Sequence, residues 1–271
     1  MTAEVVAAPA VGEAGARGVL RVTLRHDGRL NAMSRAMWRQ LRSVFESIQR
    51  RTDVRCVLIE GAGQAFCAGG DISEYPSFRF DAAQLREFHE GEVWGGLAAM
   101  LACDVPIVAR IAGACMGAGV EIASCCDIRI AEQGARFGAP IAKLGFPMAP
   151  REAALVAAAV GDVTARQMLL EAATFGAQEM AGRGFLSRVV AADALEAEAM
   201  ASALRIATLA PAAARMNKQT LRAVLMQKMA LTPASQAQAA IDTIADPYAY
   251  ADSAEHREGI TAFLAKRAPV F

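Results

Sequence analysis

Apolar and polar positions alternate from Gly18 to Arg25, as in a strand with one buried face, and the run ends in a His26-Asp27-Gly28 turn. After Ser34, a good helix cap, the period lengthens, and Met37, Leu41, Val44, Phe45 and Ile48 fall on one helical face. Val54 to Ile59, Ile107 to Ile111 and Ile128 to Ala131 are short apolar runs and predict further strands. Tyr75 to Phe80, punctuated by aromatic residues and a proline, predicts a loop. Asp81 to Cys103 predicts a mostly helical stretch despite Gly95-Gly96. This alternation argues for βαβ units and a mainly parallel sheet, hence an α/β fold. From Pro150 the chain is nearly all helix-forming, with Pro211 at a helix start and Pro247 near a helix end. A shift in composition at Ala207 to Pro211 marks a boundary between a domain over 18–207 and a helical region over 208–271. Residues 1–17 are rich in Ala and Gly and lack a basic start, which predicts a disordered lead-in and not a signal peptide.

At 271 residues the chain can bury a substantial core. Its 28 Lys and Arg balance 28 Asp and Glu, so no field for nucleic acid or a membrane surface is implied. No apolar run approaches the roughly 18 residues of a membrane span. The six cysteines lack zinc-ligand spacing, and reduced, buried thiols in a cytoplasmic protein account for them most simply. No metal site is expected.

Two stretches carry the chemistry. Ile107 to Ala112 feeds through small residues, Gly113 to Gly119, into a helix-like segment that holds Glu121. Such a turn leaves the first helical N–H groups bare, where they attract negative charge, with a carboxylate within one turn. Gly61 to Ile72, containing Phe66-Cys67-Ala68-Gly69-Gly70-Asp71, likewise follows an apolar strand. Two such turns can aim two backbone N–H groups at one oxygen, although close packing of a helix on a sheet would need the same small residues. Together with Arg29-Leu30-Asn31-Ala32-Met33, Gly117-Ala118-Gly119-Val120-Glu121, Cys126-Asp127-Ile128-Arg129-Ile130-Ala131 and the tail from Glu258-Gly259 to Phe271, the sequence resembles the crotonase family, also called the enoyl-CoA hydratase/isomerase superfamily. The resemblance runs from about Gly18 onward.

The resemblance implies a crotonase-like ββα spiral core with a helical C-terminal trimerisation region, assembling as a homotrimer or a dimer of trimers. It implies an acyl-CoA thioester substrate and no cofactor beyond the coenzyme A that the substrate carries. The backbone N–H groups of Ala68 and Ala118 would stabilise a thioester enolate, and Glu121 would be the catalytic carboxylate. Arg29, Gly69, Gly70, Asp71, Ile72 and Gly117 would contact the substrate, and Lys266 in the tail would reach a phosphate, across a subunit interface. Hydratases of the family place a second glutamate after a proline where this chain has Pro140-Ile141. Isoleucine cannot hold a proton, so the two-carboxylate scheme is incomplete at Ile141. Glu152, Glu74 and His89 are the candidate substitutes. Each has a plainer reading: a helix-start charge, a surface loop and a structural histidine, respectively. Hydration of an enoyl-CoA is the leading reading; isomerisation, decarboxylation of a malonyl-type thioester, and silent CoA-thioester binding are the alternatives.

Overall fold

The computed structural model describes residues 2–10, 18–228, 254, 258, 262, 265–267 and 269–270. The alternating segment forms an edge pair: β1 (Ala3–Pro9) runs antiparallel to β2 (Val19–His26), with Val5 opposite Leu24. The expected disordered lead-in is thus corrected over residues 3–9. Small residues gave no periodic signal there, but β2 offers an open edge, Val5 is buried, and its N–H donates to Gln40 Oε1 at 2.9 Å. Ser34 caps α1 (Arg35–Gln49), its Oγ accepting from the Met37 N–H. β3 (Cys56–Gly61) then adds parallel to β2.

Asp71 caps a short 3-10 helix, Ile72–Ser77, where the aromatic and proline pattern predicted a loop. Next come α2 (Ala82–Glu87), a π-helical turn at Phe88–Val93, and α3 (Trp94–Ala102). Gly95-Gly96 does not break this stretch; a Cβ on Gly96 would lie 3.1 Å from the Trp38 ring, so the glycine lets α3 sit against α1. The π turn is held from below by buried Glu92, which binds Arg35 at 2.8 Å and Arg39 at 2.6 Å.

β4 (Ile107–Ile111) pairs in parallel with β3, and β5 (Ala114–Met116) leads into α4 (Ala118–Ser124). β6 (Ile128–Glu132) rejoins the main sheet in parallel beside β4, and β7 (Arg136–Gly138) pairs with β5 in a second, small sheet. α5 (Pro150–Val160) and α6 (Asp162–Leu170) precede β8 (Thr174–Gly176), α7 (Ala177–Gly182) and β9 (Arg188–Val190). The main sheet runs β1-β2-β3-β4-β6-β9 and the small one β5-β7-β8. The core is therefore mainly parallel, as the alternation of periods predicts.

Successive residues of the central strands supply two cores. Leu20, Val22, Val57, Ile59 and Ala109 pack with α1 and α3, while Val19, Cys56, Leu58, Val108 and Ile130 pack with α8 (Leu195–Ala207). Burial on both faces explains why these strands read as continuous apolar runs. α9 (Pro211–Lys228) begins at Pro211 and docks through Lys218–Asp127 and Arg222–Asp104, both 2.8 Å. Pro247 and most of the tail lie outside the described residues. All six cysteines are buried and unbonded, and no helix among the described residues is long and apolar enough to cross a membrane.

Candidate active site

The two small-residue turns meet. Met33 N–H donates to Gly69 O (2.8 Å) and Asp71 N–H donates to Met33 O (2.9 Å), a parallel bridge centred on Gly70. In such a bridge the flanking peptide groups face Met33, so the N–H of Gly70 faces the opposite way. Gly117 has φ +47°, a conformation that favours glycine, and a Cβ there would sit 3.6 Å from Gly69 Cα. On Gly119 a Cβ would lie 2.5 Å from Cys67 O, so α4 is pressed directly on the first turn. Ala118 opens that helix, and the first intrahelical bond is Glu121 N–H to Gly117 O at 3.0 Å.

One expected donor is corrected. The N–H of Ala68 donates to Leu30 O at 3.0 Å and is not available to a ligand. Two residues on, the N–H of Gly70 has no hydrogen-bond partner among the described residues, and neither has that of Ala118. The pair of bare donors is therefore Gly70 and Ala118. The Gly69-Gly70 doublet is the local signal, but that Leu30 O takes the Ala68 N–H and Met33 O that of Asp71, leaving Gly70 bare, is a tertiary matter.

The turns open on a cavity of about 260 Å³ whose lining includes Ala68, Gly69, Gly70, Ile72, Gly117, Ala118, Glu121, Ile141 and Glu152. Glu121, on the first turn of α4, is 6% exposed; Glu152, on the first turn of α5, is 3% exposed. Burial, together with the negative charge of Glu152, pushes the Glu121 carboxyl well above the ordinary carboxylate range. Nδ1 of His89 lies 2.8 Å from Oε1 of Glu152, and His89 lines the same cavity from the π turn. Tyr75, Phe78, Phe88 and Phe146 form an edge-to-face wall beside them. Burial raises the Tyr75 phenol to about 12, so it stays neutral at physiological pH.

The three candidate substitutes for the carboxylate missing at Ile141 thus separate. Glu152 and His89 come to the cavity, bound to each other; Glu74 does not. Its carboxylate accepts from the Arg35 N–H at 2.8 Å, at the start of α1. Ile141 begins a 3-10 helix, Ile141–Leu144, and packs on the main core while lining the cavity. Arg29 and Asp71 lie behind the turn and face each other at 3.6 Å, and neither lines the cavity. Burial opposes ionisation of Asp71, but hydrogen bonds from Ser73 and the charge of Arg29 outweigh it and hold the carboxyl below its ordinary value. Lys266 sits in an exposed turn away from the cavity. Among the described residues no His, Cys, Asp and Glu cluster could hold a metal ion. Tyr75 and Arg79 are lining residues that the sequence pattern left among loop positions.

A mainly parallel sheet, two glycine-rich turns with bare N–H groups and two buried carboxyl groups thus share one cavity. The chain belongs to the enoyl-CoA hydratase/isomerase family, whose model matches residues 14–271. It is 31% identical over 250 residues to "probable enoyl-CoA hydratase echA8" of Mycobacterium bovis, covering 92% of this chain and 93% of that one. It is 30% identical over 253 residues to the 2,3-dehydroadipyl-CoA hydratase of Escherichia coli, covering 93% and 94%. Among solved structures, an enoyl-CoA hydratase/carnithine racemase from Magnetospirillum magneticum superposes with a TM-score of 0.85 at 37% identity, covering 94% of this chain and 92% of that one.

Proposed function

We propose that this protein hydrates an enoyl-CoA thioester, with Glu121 and Glu152 as its acid–base pair. The thioester oxygen accepts from the Gly70 and Ala118 N–H groups. Negative charge that develops there when water adds is stabilised by donors already in place; one such donor is worth ~3–4 kcal/mol. Glu152 takes a proton from the attacking water, whose oxygen bonds to the β-carbon. Glu121, whose burial beside Glu152 favours the protonated form, delivers a proton to the α-carbon, and the oxyanion collapses to the thioester. One proton is gained and one given, so the two carboxyl groups exchange roles and the next turnover requires that they re-equilibrate.

The observation that carries this reading is that two buried carboxyl groups from different helices line one cavity while no Lys or Arg forms an ion pair with either among the described residues. Burying such groups is costly without a role, which weighs against a silent binding protein. A decarboxylase needs the oxyanion donors but not a pair of proton carriers. The cytoplasm is the compartment we assign, on the six unbonded thiols. The direct test is loss of enoyl-CoA absorbance over a panel of short and medium acyl chains. The reading requires hydration of at least one member, abolished in Glu121→Gln; no hydration of any, by folded protein that binds them, contradicts it.

A further inference from the structure

Among the described residues Arg79 is the one arginine that lines the cavity of the carboxylates, and it also lines a larger adjoining space of about 790 Å³. Ile72, Tyr75, His89, Leu144 and Phe146 are shared by the two spaces, so Arg79 stands at their junction. Its guanidinium lies 3.7 Å over the Phe146 ring and 4.6 Å over that of Tyr75. Aromatic faces stabilise the cation but cannot accept its in-plane N–H groups. Among the described residues, the one polar side chain at hydrogen-bond distance is His89, whose Nε2 lies 3.5 Å from Arg79 Nη1. No carboxylate forms an ion pair with Arg79 among the described residues, in contrast to Arg35 and Arg39 on nearby Glu92. Glu152 is engaged on the far side of the His89 ring, at Nδ1. Burial lowers the Arg79 pKa from its ordinary value, and the negative charge of Glu152 offsets this only in part.

Gly70, Ala118, Glu121 and Arg79 line the same cavity, so an acyl chain held at the two N–H groups shares that space with the guanidinium. A wholly apolar chain end there would strip water from the guanidinium and give nothing back. A carboxylate would accept from the planar edge of the stacked guanidinium, in a bidentate arrangement that arginine favours. We infer that Arg79 receives a carboxylate at the far end of the acyl group, and that the substrates are CoA thioesters of dicarboxylic acids. The inference rests on the acyl-CoA reading above and adds the substrate class.

The test is titration calorimetry of the full-length protein with saturated pairs of equal length that differ only in the terminal carboxylate: butyryl- and succinyl-CoA, hexanoyl- and adipoyl-CoA, octanoyl- and suberoyl-CoA. A charge-assisted contact of this kind contributes about ten- to a hundredfold in affinity. At one length or more, the carboxylated member should bind tighter by that factor in the natural protein. Arg79→Gln should remove the preference while leaving the plain acyl-CoA within about threefold, and Arg79→Lys should retain part of it. Equal affinity within every pair, a preference that survives Arg79→Gln, or equal weakening of both members by that change overturns the inference. Plain acyl-CoAs binding without a preference would leave the hydratase reading standing. Binding of no acyl-CoA at all would overturn both.

Discussion

Nδ1 of His89 lies 2.8 Å from Oε1 of Glu152, and the two residues come from segments 63 positions apart. The π turn delivers the imidazole and the start of α5 delivers the carboxylate. A hydrogen bond at that distance fixes the orientation of the carboxylate. On the hydratase reading, His89 is therefore a positioning residue for Glu152.

Replacing His89 by Ala is expected to lower kcat about tenfold or more while leaving KM within about threefold, because Glu152 would lose the partner that orients it. His89→Asn, whose amide can occupy the Nδ1 position, should retain more activity than His89→Ala. A fall in Tm with no loss of kcat, or equal kcat in the Asn and Ala variants, would make His89 merely structural.

Glu121 should limit stability at neutral pH. Its folded-state pKa is raised, so its contribution is complete below the ordinary value of 4.5 and is lost as pH rises towards the folded value. While Glu121 stays protonated in the folded chain, each pH unit above that ordinary value costs about 1.4 kcal/mol. Glu121→Gln cannot ionise in either state. Its Tm should exceed that of the natural protein at pH 7, by about 2–4 °C per kcal/mol, with the gain disappearing at pH 4. A Tm difference independent of pH would show that Glu121 titrates normally.

Gly70 has no room for a side chain, since a Cβ there would lie 2.3 Å from the Tyr75 hydroxyl oxygen. Gly70→Ala should displace the turn, lower activity at least about tenfold by misaligning one oxyanion donor, and destabilise the fold by about 1–3 kcal/mol. Adding Tyr75→Phe removes the colliding oxygen and should restore part of both. Full activity in Gly70→Ala alone would contradict the placement of that donor.

Much of this fold is written in local periodicity. The apolar runs at Cys56 and Ile107 became central strands because a strand buried on both faces needs no alternation. Ser34, Pro211 and the helix of Glu121 follow from capping and turn chemistry that short windows contain. β1 was not legible, since its partner is the edge of β2 and its residues are small. The site divides the same way. Glu121 and Ala118 are visible in one motif, whereas Glu152, His89 and Arg79 converge only through the stacking of α5, the π turn and the segment after Ile72–Ser77. Ile141 marked a vacancy, but no local signal could say which distant carboxylate answers it. That the Ala68 N–H is consumed is not readable locally, because its acceptor, Leu30 O, belongs to a turn distant in sequence.

The claim that Glu152 supplies the second carboxylate is tested most directly by the steady-state hydration rate of Glu152→Gln, on an enoyl-CoA that the natural protein turns over. General acid–base assistance contributes ~10²–10⁴-fold, so kcat should fall by that factor while acyl-CoA affinity stays within about threefold, because Gln keeps the shape of Glu. A kcat within about threefold of the natural value would contradict the account.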